Sequence, residues 1–340
     1  MCERDGGGEL KIGAVRVAGR VWIAPMTGVS DLPFRRTAAR LGAPYLATEM
    51  VACAQFVQDR PDAVRRAAVG AGLPLMVVQL VGHDPLWIAR GAHLAARAGA
   101  QIIDLNFGCP AKAVTGRLSG SALMRDMELA QSLISAAVEA TDAPVTVKMR
   151  LGWDEESRNA PELAARAQAA GARAITVHGR TRRQFYNGQA DWSAVRQVKA
   201  AVTIPVLVNG DVLDATSARA ALVASGADGV MIGRGATGRP WIATTIQAAL
   251  AGHSPREPGR RARASILRRH LDDSVRFHGE ALGLRLFRKH LAAYIDAAPW
   301  PVDPDERKAA RSGLCRLEAP AEIALAVAHL WRRRPTGSTA

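Results

Sequence analysis

Cysteine is scarce in this 340-residue chain: Cys2, Cys53, Cys109 and Cys315 stand far apart, with no Cys-x-x-Cys pair. That spacing argues against a disulfide scaffold and against a thiolate zinc site, and no metal site is expected. Long apolar runs are missing as well, since none approaches the ~18 residues that span a bilayer, so no membrane partner is expected. Residues Met1 to Gly8 carry charge and glycine where a secretory leader needs an apolar core, and the expected location is the cytoplasm. Acidic residues are in deficit: 31 Asp+Glu against 45 Lys+Arg leave a formal charge of +14 and a pI near 10.7. Such a surplus points to a polyanionic partner. From Pro255 to Ala340, 17 Lys+Arg face 10 Asp+Glu, a net of +7, so half the excess rides on about a quarter of the chain, as suits a nucleic-acid-binding appendage.

Hydrophobic residues make up 48% of the chain, enough for a large core. Four times an alanine-rich helical segment ends in Gly-Ala and runs into an apolar stretch: Gly42-Ala43, Gly99-Ala100, Gly171-Ala172 and Gly226-Ala227. Glycine in that position reads as a helix C-cap. Three more strands are entered through Pro74, Pro144 and Pro205, and Val21 to Pro25 opens the series, which makes eight. Their Val/Ile/Leu-rich character is that of parallel strands covered on both faces. Eight βα units predict an α/β fold, a (β/α)8 TIM barrel over residues 1–252, with catalytic groups at the C-terminal strand ends. A doubly wound sheet is the competitor, but its Gly-x-Gly-x-x-Gly fingerprint is absent after the first strand. Lys11 to Val17 alternates apolar and polar and reads as a hairpin closing the barrel base. Beyond a turn-rich linker at 251–255 the chain reads as helical to its end, a small C-terminal helical domain over 255–340 with arginine-dense segments at Arg260 to Arg269 and Arg285 to His290.

Asn106-Phe107-Gly108-Cys109-Pro110 follows the strand-like Ile102 to Leu105 and presents a cysteine from a loop, where glycine allows the turn and proline ends the ladder. Most free cysteines are small buried hydrophobes. Against that, five other strand-like runs end in a polar or glycine residue able to face the same point: Gln79, Lys148, His178, Asn209 and Gly233. Strand ends that converge describe one site.

Taken in order, Ala24-Pro25-Met26-Thr27-Gly28-Val29-Ser30-Asp31, Asp104 to Lys112, Val147-Lys148-Met149-Arg150, Val177-His178-Gly179-Arg180-Thr181, Asn209-Gly210-Asp211, Gly233-Arg234-Gly235 and Arg285-Leu286-Phe287-Arg288-Lys289-His290 closely resemble the tRNA-dihydrouridine synthases, in particular the bacterial B-type subclass. The resemblance implies an FMN enzyme that reduces the C5=C6 bond of selected uridines in tRNA, with NADPH, or NADH, as external reductant. A hydride from flavin N5 to C6 leaves enolate-like charge that a proton at C5 must quench. An ordinary thiol is protonated at neutral pH, so Cys109 is the expected general acid.

Lys148 is expected at the flavin N1/O2 edge, and Ala24, Pro25, Met26 and Gln79 against the isoalloxazine. Gly233 and Arg234, with Asn209, Gly210 and Asp211, match the phosphate site that barrels build after their last strands. His178 is placed at the flavin phosphate or the substrate, or is structural. By resemblance Asn106 and Arg150 bind the uracil edge, although Arg150 also suits an ordinary salt bridge. Lys112 and Arg117 lie in a loop, 111–119, that is expected to close over the base. Ala113 stands where family members often carry a second lysine. The chain is expected to act as a monomer. Two alternatives stay open: a small-molecule flavin barrel such as a dihydroorotate dehydrogenase, and a non-catalytic RNA-binding barrel.

Overall fold

The computed structural model describes residues 8–70, 72–116, 118–300 and 303–332, with the side chain of Arg332 excepted. The expectations that rest on residues 1–7 and on Arg117 fall outside the described residues. Leu10–Ile12 (β1) and Val15–Val17 (β2) form an antiparallel hairpin. Ile12 and Val17 are buried in one cluster with Trp22, Tyr45, Ile102 and Leu207, so the hairpin closes the barrel base as its alternation predicts. Trp22 and Tyr45 stack at 4.0 Å between centroids and fill the lower interior.

Eight strands make the barrel wall: Val21–Ile23 (β3), Val51–Ala52 (β4), Val77–Val81 (β5), Ile102–Phe107 (β6), Val145–Arg150 (β7), Ala174–His178 (β8), Val206–Asn209 (β9) and Gly229–Ile232 (β10). They are parallel and run β3-β10-β9-β8-β7-β6-β5-β4 around the sheet. Parallel bridges Ile23↔Leu46 and Ala47↔Val77 join the two ends. The stretch after Gly42-Ala43 therefore contributes isolated bridges where the repeat predicts a strand, and β4 begins only at Val51. Thr48 interrupts it: its N–H donates to the Val77 carbonyl (3.0 Å) while its hydroxyl accepts from Gln79 N (3.0 Å), so a side chain occupies a ladder position.

Period-two alternation sorts β6. Ile103, Leu105 and Phe107 pack outward in the core shared with the helices, while Ile102 packs in the interior cluster. Asp104 and Asn106 share the face of Ile102, and the register sets Asp104 beside Thr146 and Asn106 beside Lys148.

Aspartates start several of the helices. Asp31 caps Leu32–Arg40 by accepting from Phe34 N, Asp84 caps Pro85–Arg97, and Asp214 forms a capping box with Ser217. Gly42, Gly99, Gly171 and Gly226 all have left-handed φ, as the repeat predicts. Gly226 is itself the cap residue, whereas the other three fall one position later, after Leu41, Ala98 and Ala170.

Helices Arg260–His278, Glu280–Asp296, Pro304–Arg316 and Pro320–Arg332 build a second core from Leu267, Leu271, Phe287, Leu291, Ile323 and Trp331, with Trp241 reaching in from the barrel side. Not every arginine in the dense segment is surface charge. Arg263 is 7% exposed, lies over the Trp241 ring, donates to the Pro258 carbonyl (2.7 Å) and pairs with Glu257 (3.0 Å).

Candidate active site

At the C-terminal end of the strands a cavity of about 530 Å³ opens, and the strand ends named above all line it: Gln79, Asn106, Lys148, Arg150, His178, Asn209 and Gly233, with Cys109 on the loop after β6. Ala24, Pro25, Met26, Gly210, Asp211 and Arg234 also line it. Lys112 does not. It sits exposed in the short helix Lys112–Thr115 beside the cavity.

Cys109 is a free, partly exposed thiol, unlike Cys53, whose burial pushes its thiol up to about 12. Its main chain is held from two sides. Asn106 Oδ1 accepts from the N–H of Gly108 (3.1 Å) and of Cys109 (2.9 Å), while the Cys109 carbonyl accepts from Ser121 N (3.1 Å) and Ser121 Oγ (2.9 Å). Behind Asn106 a polar chain runs inward: Asn106 Nδ2 donates to Gln79 Oε1 (2.8 Å), Gln79 Nε2 to Asp104 Oδ2 (2.7 Å), and Thr146 Oγ1 to Asp104 Oδ1 (2.6 Å). Burial raises the Asp104 carboxyl to about 6 against these two donors and Lys148.

Arg150, 2% exposed, spends its guanidinium on backbone carbonyls: Nε to Gly108 (2.8 Å), Nη1 to Thr181 (2.9 Å) and to Phe185 (2.8 Å). It ties the Cys109 loop to the segment after β8. No acidic side chain pairs with it among the described residues. Lys148 makes no hydrogen bond or ion pair among the described residues. Burial first, then Arg150, lowers its ammonium to about 8, against the pull of Asp104 and Cys109. His178 lies at the end of β8 with Nδ1 buried and unpartnered. Burial, reinforced by Arg150, Lys148, Arg180 and Arg234, holds it well below the usual histidine range, so it is neutral.

Around Gly233 the site is open and cationic. A Cβ there would meet nothing within 4 Å, and Arg234 begins a 3-10 turn, Arg234–Ala236. Arg234 donates to Asp211 Oδ1 (3.0 Å), and Asp211 Oδ2 accepts from the buried Arg180 (2.5 Å) and from Ala190 N (2.8 Å). Asp211 is thus consumed in holding two arginines. Its φ of 53°, uncommon outside glycine, is part of how the loop aims it.

Met50, Phe185 and Tyr186 also line the cavity, and sequence reasoning did not single them out. The Tyr186 ring lies 5.5 Å from the Arg150 guanidinium and 5.3 Å from that of Arg234. An aromatic pair behind Arg182-Arg183, in a chain with 5% aromatics, is the signal that was there to find.

Residues 22–311 match the dihydrouridine synthase (Dus) family. The chain belongs to the dihydrouridine synthase family. A probable tRNA-dihydrouridine synthase of Rhodobacter capsulatus is 49% identical over 303 residues, covering 88% of this chain and 93% of that one. The tRNA-dihydrouridine synthase B of Pseudomonas aeruginosa is 41% identical over 293 residues, 85% and 88% of the two chains. In three dimensions the chain is similar to morphinone reductase in complex with tetrahydroNAD, with a TM-score of 0.54 and 13% identity over 75% of this chain and 93% of that one, a likeness of fold. As a dihydrouridine synthase the chain is a flavin-dependent oxidoreductase, and residues of its barrel motifs, among them Pro25, Met26, Cys109, Lys148, Asn209 and Arg234, line the cavity. No helix among the described residues is long and apolar enough to cross a membrane.

Proposed function

We propose that this dihydrouridine synthase reduces the C5=C6 bond of uracil in tRNA with FMN as resident cofactor and NADPH, or NADH, as reductant, working as a monomer in the cytoplasm. The observation that carries the reading is one cavity with a free thiol on one wall, an unpaired lysine on its floor and an open glycine–arginine turn at its far end. That donor set fits FMN. Gly233 and Gly235 offer backbone N–H groups, with Arg234 as the cation for a phosphate dianion, and the unpartnered His178 Nδ1 is a further polar atom at that end. Lys148 offers an ammonium at the pole of the ring system where negative charge gathers on reduction, and Ala24, Pro25 and Met26 supply an apolar wall.

FMN held by these residues would supply the hydride for C6. The protein's own part is to hold a uracil edge-on to Cys109, exclude water and deliver one proton from Cys109 Sγ to C5. Asn106, Gln79 and Arg150 hold the backbone of the loop, so that the Cys109 side chain is presented to the cavity before substrate arrives. Arg150 Nη2, which carries none of the three carbonyl bonds, and the second hydrogen of Asn106 Nδ2 remain the candidates for the uracil edge. A uridine stacked within tRNA reaches this cavity only if it is flipped out. The basic C-terminal helices, read as a tRNA-binding domain over 255–340, would grip phosphates while the barrel takes the base, and Lys112 stands exposed at the start of the short helix Lys112–Thr115.

The test is incubation of the purified protein with FMN, NADPH and unmodified tRNA, followed by analysis for dihydrouridine. Oxidation of NADPH with no dihydrouridine formed, or a colourless protein that FMN does not reconstitute, contradicts the assignment.

A further inference from the structure

Away from the cavity, three ligating side chains meet at the joint between the barrel and the C-terminal helices. Asp31 caps the helix Leu32–Arg40, His270 lies on Arg260–His278 and His290 on Glu280–Asp296. One ligating atom from each of the three lies within 4.8 Å of the other two. His270 is 0% and His290 2% exposed, and the Nε2 of each is buried without a hydrogen-bond partner. A native core rarely leaves one such nitrogen unsatisfied, and two side by side need a reason.

The surroundings are those of metal ligands. His270 Nδ1 lies 3.2 Å from the Tyr294 hydroxyl, and a bond from the second ring nitrogen is what orients a ligating imidazole. The two rings are 4.7 Å apart between centroids. Two imidazoles on one tetrahedral ion, with Zn–N of ~2.0–2.1 Å, bring their ring centres to ~5 Å. Asp31 Oδ1 accepts from Phe34 N (3.0 Å) and Oδ2 is 2.9 Å from His278 Nε2, but a carboxylate oxygen has a second acceptor position free for a cation. Burial holds both imidazoles in the neutral, ligating form, His290 down to about 4 and His270 well below its ordinary value. Burial alone would raise Asp31, but the hydrogen bonds from His278 and from Phe34 N hold it down as the anion.

We propose that Asp31, His270 and His290 bind one structural divalent transition-metal ion, of the zinc class, that clamps the C-terminal helices onto the barrel. Two imidazoles and a carboxylate suit zinc, and solvent completes the tetrahedron. His278 serves as the outer partner of the carboxylate. The site is independent of the chemistry assigned to the cavity.

The test uses the full chain without a histidine tag, expressed with zinc and freed of loose metal. Elemental analysis should find one zinc per chain, zinc-edge absorption should show an N/O shell with imidazole scattering, and EDTA should lower the Tm, with added zinc restoring it. His270→Gln and His290→Gln should each lose the metal. If either variant fails to fold, the absorption spectrum and the chelator melt of the wild-type chain decide. A wild-type chain that stays metal-free, with a Tm indifferent to zinc and EDTA, overturns the proposal, and so does bound zinc that shows no imidazole shell.

Discussion

Cys109 is held through its N–H and its carbonyl, which leaves the thiol to move while the backbone stays fixed. Its replacement by alanine should therefore spare the site around it. Cys109→Ala is expected to bind flavin and oxidise NADPH as before but to form dihydrouridine ~10²–10⁴-fold more slowly, the range for a lost general acid; an undiminished rate would remove the thiol from the mechanism. Lys148 makes a second prediction, on pH. Its folded-state value of about 8 lies below the ordinary lysine value of 10.5, so burial disfavours the charged form, and the resulting loss of stability is full below about pH 8 and fades as pH rises toward 10.5. A ligand that carries negative charge at N1/O2 prefers the protonated lysine. Affinity of the apoprotein for reduced FMN should fall as pH rises through about 8, and Lys148→Met should flatten that profile; a profile unchanged by the substitution would place the lysine elsewhere.

Among the elements, the last barrel loop and the helix Glu280–Asp296 pack backbone to backbone at Gly238. Its φ is 76°, and a Cβ there would collide with the Ala293 carbonyl. Gly238→Ala is expected to cost ~1–3 kcal/mol in a urea melt, and an unchanged midpoint would contradict this packing.

Element ends were the legible part of the sequence. Gly-Ala after alanine-rich helices marked the left-handed turns, and polar residues closing apolar runs located Gln79, Lys148, His178 and Asn209 on one cavity. What was not legible depends on contacts between distant segments. Thr48 breaks the second strand through a bond to Gln79, and Arg263 is drawn inward by the Trp241 ring and the Ala297 carbonyl, neither of which a local pattern announces. Asp104 read as one residue of an apolar run, yet it anchors the chain of side chains that ends at Cys109. Phe185 and Tyr186 come from the loop after β8, where no periodicity exists to read.

For the whole molecule, the question is where the +14 charge acts. Arg261, Arg268, Arg269, Arg276, Arg285 and Lys289 are exposed on the C-terminal helices, whereas Arg263 is internal. If the exposed set meets tRNA phosphates, affinity should fall steeply with salt, and Arg268→Ala or Arg269→Ala should each reduce the log–log slope by ~0.7–0.9 at unchanged Tm. Arg263→Ala should instead lower the Tm, because it leaves the Pro258 and Ala297 carbonyls without their arginine donor and removes one of the three donors to Glu257. Equal salt slopes in all three variants would assign the basic face to another partner. The central claim, that one cavity joins a flavin, a flipped uridine and the Cys109 thiol, is tested most directly by a single turnover: protein with its flavin reduced, free of excess reductant and oxygen, is mixed with tRNA lacking dihydrouridine. The account predicts that flavin reoxidation requires the tRNA and yields one dihydrouridine per flavin oxidised, with both slowed together in Cys109→Ala. Reoxidation that proceeds without dihydrouridine, or dihydrouridine formed at full rate by Cys109→Ala, would contradict it.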